Sequence, residues 1–279
     1  MSSVPLSLQP QLLLEPQAVN ELLGQANILI VDLCQPNVYA QAHIPGAVFL
    51  DFKKLMLGQA PAPGEVPDLA VLSDVLSGLG LTEETHVIAY DDEGGGWAAR
   101  LLWTLELLGH SKYSYLNGGL HAWMAEKLPV EKTPNKPTPS SYNAELKNPS
   151  CYINRESILQ LLDHPNFIVW DARSPEEWAG IRVNALKGGH IPGAANYEWT
   201  RGMDKNRALR VRDLTEIENE LAELGITRDK MVITHCQSHH RSAFTWLLGK
   251  LLGFPKIIAY AGSWADWGNA PETPVEKPN

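Results

Sequence analysis

Six residues near the C-terminus, Cys236-Gln237-Ser238-His239-His240-Arg241, bring together a nucleophile, two imidazoles and a permanent cation. An ordinary cysteine with a pKa of about 8.5 is only about 3% thiolate at pH 7. A strand-to-helix turn lowers that pKa, because converging backbone N–H groups and the helix dipole stabilise the anion. The flanking residues supply that setting. Met231–His235 is a short apolar run that reads as a buried strand, and Ser242–Leu248 continues apolar and reads as a helix. The loop between them is suited to sulfur or anion chemistry. A lone cysteine is otherwise most often a small buried hydrophobe, but none of the five residues after Cys236 is an apolar packer. Zinc is the other competitor for His235, Cys236, His239 and His240. Structural zinc sites usually combine two ligand pairs from separate segments. Cys34 and Cys151 have no partner at such spacing, so no metal is expected, and both read as structural or incidental.

The elements that must position this loop come in two copies. His43-Ile44-Pro45-Gly46-Ala47 recurs as His190-Ile191-Pro192-Gly193-Ala194, at an offset of 147. Ile30-Val31-Asp32 matches Val169-Trp170-Asp171 at 139, and Val87-Ile88-Ala89-Tyr90 matches Val232-Ile233-Thr234-His235 at 145. Gly118–Trp123 matches Gly262–Trp267 at 144. Four blocks in the same order mark a tandem duplication. In the first copy, 27–33, 86–91 and 113–116 read as strands, and 98–108 as a helix stopped by Gly109. In the second copy, 167–171, 231–235 and 257–260 are the strands, and a helix runs from Ser242 to near Gly253. Short apolar runs separated by helical patterns indicate an α/β fold, each copy a mainly parallel sheet flanked by helices. Sites on such sheets form at the carboxyl ends of strands. Residues 129–150 are rich in Pro, Ser, Thr, Asn and Lys and read as an extended linker. The expected organisation is thus 1–128, a linker over 129–150, and 151–279.

The duplication supplies its own control. Asp91 falls opposite Cys236, and the first loop reads Asp91-Asp92-Glu93-Gly94-Gly95-Gly96. With no thiol, three carboxylates and no cation, it forms no covalent sulfur intermediate and repels an anion. Its expected role is to cover and shape the second copy's site. The jump in offset from 139 to 147 means that the second copy carries eight additional residues after Asp171. Arg182 and Lys187 lie there and either line an anion site or sit on a solvated loop. Arg173 either pairs with Asp171 or faces the cysteine loop.

Composition sets the outer bounds. At 279 residues, 44% apolar and 20% charged, the chain is an ordinary globular protein of two-domain size. A net charge of −9 argues against a nucleic-acid surface. No apolar run approaches the roughly 18 residues of a membrane span. Met1–Leu6 lacks the basic and apolar segments of a signal peptide, and three cysteines describe no disulfide framework. A cytoplasmic protein is expected, with its oligomeric state open, a monomer included.

These residues resemble the rhodanese family, the thiosulfate sulfurtransferases. Tyr39-Ala40-Gln41-Ala42-His43-Ile44-Pro45-Gly46-Ala47-Val48-Phe49-Leu50 is similar to that family's N-terminal signature. Tyr260-Ala261-Gly262-Ser263-Trp264-Ala265-Asp266-Trp267 is similar to its C-terminal one, with Asp266 where glutamate is usual. The cysteine loop resembles a bacterial Cys-Gln-x-His-His-Arg subgroup rather than the Cys-Arg-Lys-Gly or Cys-Gly-Ser-Gly types. The resemblance implies two tandem rhodanese-like domains, the first inactive. It implies that Cys236 takes a sulfane sulfur from thiosulfate as a persulfide and passes it to cyanide or another thiophile, without a cofactor. Residues 237 to 241 are then expected to cradle the terminal sulfur with their N–H groups. One departure stands out: Glu177 occupies a position where many relatives carry a cation. Charge for a dianionic donor is then expected from Arg241, from His239 and His240 when protonated, or from Arg173, Arg182 and Lys187. Mercaptopyruvate or another persulfide donor remains the alternative.

Two rivals differ in class. A cysteine phosphatase or arsenate reductase wants five residues between Cys and Arg, and here there are four. A non-catalytic binding or redox-sensing module does not need the intact cysteine and its basic loop.

Overall fold

In the computed structural model, which describes residues 11–278, the chain forms two parallel sheets joined by a long extended segment. The stretch Met1–Leu6, read above for targeting signals, lies outside the described residues. The first half contains β1 (Leu13–Leu14), β2 (Ile28–Asp32), β3 (Val48–Phe49), β4 (His86–Tyr90) and β5 (Tyr113–Leu116). Its helices are α1 (Pro16–Leu22), α2 (Pro36–Gln41), α3 (Leu69–Gly78), α4 (Gly96–Leu107) and α5 (Gly119–Ala125). The second half has β6 (Phe167–Asp171), β7 (Ala195–Asn196), β8 (Met203–Asp204), β9 (Arg210–Val211), β10 (Met231–His235) and β11 (Ile257–Ala259). Its helices are α6 (Arg155–Leu161), α7 (Pro175–Trp178), α8 (Leu214–Glu223), α9 (Arg241–Leu251) and α10 (Ser263–Trp267).

The sheets run β1-β5-β4-β2-β3 and β11-β10-β6-β7, with every pairing in them parallel, and β8 and β9 form a separate antiparallel ribbon. The central strands are apolar through their middles and largely buried because helices cover both faces; all five residues of β4 are buried. Register aligns the strand ends: Asp32 pairs with Tyr90 in the first sheet, and Asp171 with His235 in the second. Gly109 and Gly253, each at positive φ, turn the chain after α4 and α9, where an L side chain is strained. The expected elements are present with small shifts. Helix α4 starts at Gly96, two residues earlier than read from sequence, because the Asp91 carboxylate accepts the N–H groups of Trp97 and Ala98.

The repeated His-Ile-Pro-Gly-Ala block is a fastening rather than a site. The N–H of His43 donates to Glu131 O at 3.0 Å, and that of His190 to Glu276 O at 2.9 Å. Gly46 and Gly193 donate to the carboxylates of the same two glutamates, at 2.7 and 2.8 Å. Each block therefore clips the chain segment that leaves its own half. Residues 129–148 are extended, as the composition indicates, yet tied down. Ser140 N–H bonds Ser77 O, and Tyr142 and Ala144 N–H bond the Ser77 and Ser73 hydroxyls, all at 2.9 Å.

The halves meet through α4 and α9, which pack against each other. Helix α4 is buried on every side from Gly96 to Leu105, as expected of a helix held between its own sheet and another helix. Trp97, Leu101 and Trp103 share one apolar cluster with Phe244, Trp246 and Leu248. No described helix is long and apolar enough to cross a membrane. Trp103 is fully buried, and its indole N–H donates to Cys151 O at 3.1 Å. Truncation to alanine leaves a large cavity in this shared core. Trp103→Ala is expected to cost about 3–5 kcal/mol, read as a lower denaturation midpoint.

Candidate active site

The floor of the site is a buried ion pair at the end of β6. Asp171 accepts from Arg173 Nε at 2.9 Å and Nη2 at 2.6 Å, and from the Arg173 N–H at 3.0 Å. Arg173 Nη2 also donates to Gly189 O at 2.8 Å, and the guanidinium stacks 4.2 Å over the Trp264 ring. His235 Nε2 lies 3.3 Å from Asp171 on the neighbouring strand. Burial pushes the Asp171 carboxyl up, but His235 and Arg173 outweigh it and hold it well below the usual range. Of the two roles open to Arg173, the structure shows the pairing: its charge is spent on Asp171, beneath the loop.

Cys236 follows β10 directly and is only 1% exposed. Its Sγ accepts the Ser242 hydroxyl at 3.4 Å, from the first turn of α9. Burial pushes the thiol up. Arg241, the Ser242 hydroxyl and N–H, and His240 more than offset this and bring it down to about 6. Cys34 and Cys151 contrast sharply. Burial and Asp32 push the Cys34 thiol far up, and burial and Glu106 push Cys151 up to about 12. Only the loop cysteine is an anion near neutral pH.

One hydroxyl holds the loop open. Ser263 Oγ accepts the N–H groups of Cys236 at 3.3 Å and His239 at 3.1 Å, and donates to Tyr260 O at 2.8 Å. That uses all three of its hydrogen-bonding positions. The Ser242 hydroxyl spends its proton on Sγ, so His239 Nδ1, 2.8 Å away, carries a proton and donates to it. Among the described residues, the N–H groups of Gln237, Ser238, His240 and Arg241 have no protein acceptor. The N–H cradle expected over 237 to 241 therefore needs correction. His239 N–H is already taken by Ser263, while Ser242, one position beyond, faces the sulfur.

The loop cations are not all free. Arg241 donates to both oxygens of Glu177, at 2.6 and 3.0 Å, and Glu177 is buried, with Asn184 Nδ2 on Oε1 at 3.0 Å. Burial pushes the Glu177 carboxyl up, but Arg241 overrides this and takes it down to about 2. The residue that departs from the family pattern thus orients the loop arginine. His239 has no exposed surface, sits edge-on to Trp103, and is held well below the usual histidine range by burial, Arg100 and His240. The expectation that it adds positive potential on protonation is corrected: it is neutral. Lys187 is also corrected, since Nζ is bound by Ala270 O at 2.5 Å and by Thr273 O and Oγ1 at 2.6 Å, away from the sulfur. Arg182 is exposed beside Glu176 and has no bond to the loop among the described residues. Gln237 reaches outward, its amide donating to Asn184 O at 3.2 Å.

The remaining wall comes from the first half. Glu93 meets His240 Nε2 and Trp97 stacks on the His240 ring at 3.9 Å, while Trp199 of the second half leans over it at 5.5 Å. A Cβ at Gly96 would collide with that imidazole. The histidines and Cys236 do not converge on a common point: His235 turns to Asp171, His239 to Ser242 and His240 to Glu93. Asp91, opposite Cys236 in the duplication, is fully buried. Its carboxylate accepts the N–H groups of Glu93, Gly95, Trp97 and Ala98 at 2.8–3.1 Å. The first loop is not an outward array of carboxylates. It keeps an anion cradle and fills it with its own side chain.

A family profile described as rhodanese-like domain matches residues 15–126 and 154–270. The chain is 47% identical over 265 residues to the thiosulfate sulfurtransferase of Azotobacter vinelandii, covering 95% of this chain and 97% of that protein. It is 48% identical over 267 residues to the thiosulfate sulfurtransferase of Pseudomonas aeruginosa, with the same coverage of each. Among solved structures, an anaerobic ergothioneine biosynthesis enzyme from Chlorobium limicola superposes with a TM-score of 0.85 at 22% identity. That likeness covers 95% of this chain and 70% of the other, and concerns the fold.

Two outcomes follow from this geometry. Alkylation of Cys236 by iodoacetamide, followed against pH, is expected to inflect near 6, because the thiolate reacts and protonation below that value removes it. Gly96→Ala pushes a methyl group into the His240 ring and is expected to cost about 1–3 kcal/mol, with slower alkylation at pH 7 in the same protein.

Proposed function

The chain belongs to the rhodanese family, and from that membership and its loop geometry we propose that it moves a sulfane sulfur from thiosulfate to a thiophilic acceptor through a persulfide on Cys236. The observation that carries the reading is a buried thiol brought down to about 6, in a loop where the N–H groups of Gln237, Ser238, His240 and Arg241 have no protein acceptor among the described residues. The Cys236 thiolate attacks the outer sulfur of thiosulfate. The S–S bond breaks, sulfite leaves with the electron pair, and the outer sulfur stays on Cys236 as a persulfide. An acceptor such as cyanide then attacks the terminal sulfur, leaves as thiocyanate and returns the thiolate. No general acid is needed, because neither leaving group requires a proton.

Each step has its residues. Ser242 stabilises the thiolate before attack and after release. The N–H groups of Gln237, Ser238, His240 and Arg241 stabilise the anionic terminal sulfur as oxyanion-type donors do. Arg241, fixed by Glu177, faces the incoming dianion, and His240 stands beside it against Trp97. Arg182, exposed on the added loop, acts at most on the approach of the anion. Residues 151–279 form the catalytic domain, 129–150 the linker, and 1–128 a domain that closes the site without a nucleophile. The three free cysteines suit a reducing compartment, so we place the protein in the cytoplasm. The donor and acceptor are small molecules. A phosphatase reading is disfavoured by the shorter loop and by Glu177, which engages both ends of the arginine fork that a phosphate would need.

Incubation with thiosulfate is expected to add one sulfur atom to Cys236, seen by mass spectrometry and removed by cyanide, and Cys236→Ser should add none. An unmodified protein, or sulfur on Cys34 or Cys151, contradicts the reading. The kcat/KM for thiosulfate is expected to exceed that for mercaptopyruvate, and the reverse order assigns the other donor.

A further inference from the structure

A cation in the half without the thiol is built against the sulfur loop. Arg100 lies in α4 and has no exposed surface. Its guanidinium donates to Gly64 O and Leu55 O, both at 2.7 Å, and reaches His239 O at 3.4 Å. All three acceptors are neutral carbonyls. Among the described residues Arg100 makes no salt bridge, and its Nε has no partner. Trp103 covers it, with the guanidinium 4.9 Å from the ring. An unpaired buried charge is costly, and neutral donors could satisfy the same carbonyls. The charge itself therefore needs a use.

The loop is where that use lies. His239 sits three residues from Cys236, and its N–H shares Ser263 Oγ with the N–H of Cys236. The other cations near the sulfur are compromised. Arg241 shares its charge with Glu177, Arg173 spends its own on Asp171, His240 meets Glu93, and His239 is buried and neutral. A dianionic donor and an anionic persulfide require net positive charge that none of these supplies in full.

We propose that Arg100, from the half without the thiol, is a positioning residue for sulfur transfer, its buried charge held on the His239 carbonyl so that the loop stays open and the sulfur on Cys236 stays anionic. Direction agrees: burial lowers Arg100 to about 10, against the opposing pull of Glu65 and of Cys236. Glu65 is a weak counter-charge, since burial raises it and it bonds Tyr152 and the Gly262 N–H. The charged and titratable groups around Cys236 are then Arg241, His240 and Glu177 on the open side, and Glu93 and Arg100 from the first half. Asp171, Arg173 and His235 lie below, with His239 beside Ser242.

The test is the pH profile of Cys236 alkylation in Arg100→Gln, which keeps N–H donors without charge, and Arg100→Lys, which keeps charge without the fork. The Gln variant is expected to inflect about one unit higher, a tenfold loss of thiolate well below both inflections, and to form persulfide about fivefold more slowly near pH 6, the wild-type inflection. The Lys variant should recover most of both. An unmoved inflection in Gln, or a Lys profile displaced as far as Gln, overturns the proposal. Should Gln fail to fold, Arg100→Met replaces it. Loss of fold in both neutral variants also overturns it, since the charge would then serve the fold and not the sulfur. The inference rests on Cys236 as the sulfur carrier. A wild type that takes no sulfur from thiosulfate rejects that reading, whereas an unmoved Gln profile in a competent enzyme rejects only the role of Arg100.

Discussion

A sulfur anion buried at the end of a parallel strand is the constraint on which this molecule is arranged. Removing a charge from water is expensive unless fixed dipoles and counter-charges replace the solvent. Here the replacement comes in layers. The first turn of α9 aims the Ser242 hydroxyl and N–H at Cys236. Glu177 holds Arg241 over the loop by both arms of its fork, at the cost of part of its charge. Ser263 ties the two ends of the loop so that the intervening N–H groups stay unused. Remove that tie and those donors are free to turn to carbonyls of their own chain.

The duplicated first half shows the same architecture serving another end. Asp32 meets the Tyr90 hydroxyl where Asp171 meets His235 and Arg173. Burial raises Asp32, while His235 and Arg173 keep Asp171 ionised. Gly119 and Ser263 occupy matched positions in the same left-handed conformation, at φ 54° and 53°. A Cβ at Gly119 would collide with Asp91 O, so glycine is required there. With no hydroxyl available, the first loop is closed by the Asp91 carboxylate instead. The second loop spends a strained serine to gain an open cradle. The half without a nucleophile is nonetheless not a bystander, since Glu93, Gly96 and Trp97 form the socket for His240.

Much of this was legible in the sequence. The repeat, the strand that ends at His235 and the helix that follows it are all carried by local apolar periodicity, and Cys236 stands out because its neighbours cannot pack. The assignment of charges was less legible. Arg173, Lys187 and Arg241 look alike as cations in a chain, but each is committed to a different partner: Asp171, the carbonyls near Thr273, and Glu177. His239 and His240 are adjacent and chemically identical, yet one is sealed against Trp103 and the other stacks on Trp97. No spacing rule separates them. Ser242 and Ser263 were passed over because serine is common, and Arg100 because it lies 136 residues upstream in the copy without the thiol.

The sequence by itself determined which chemistry is available: one reactive-looking thiol, a turn from strand to helix, and a second copy in which that thiol is an aspartate. These follow from residue identity and short-range periodicity, which depend on neighbours a few positions away. Only the tertiary structure decided which charges reach the sulfur and which are cancelled, and that α4 of one half supplies a wall and a buried cation to the loop of the other. The physical reason is that ionisation and orientation depend on distance in space and on burial. Packing α4 against α9 sets both for groups the chain keeps far apart.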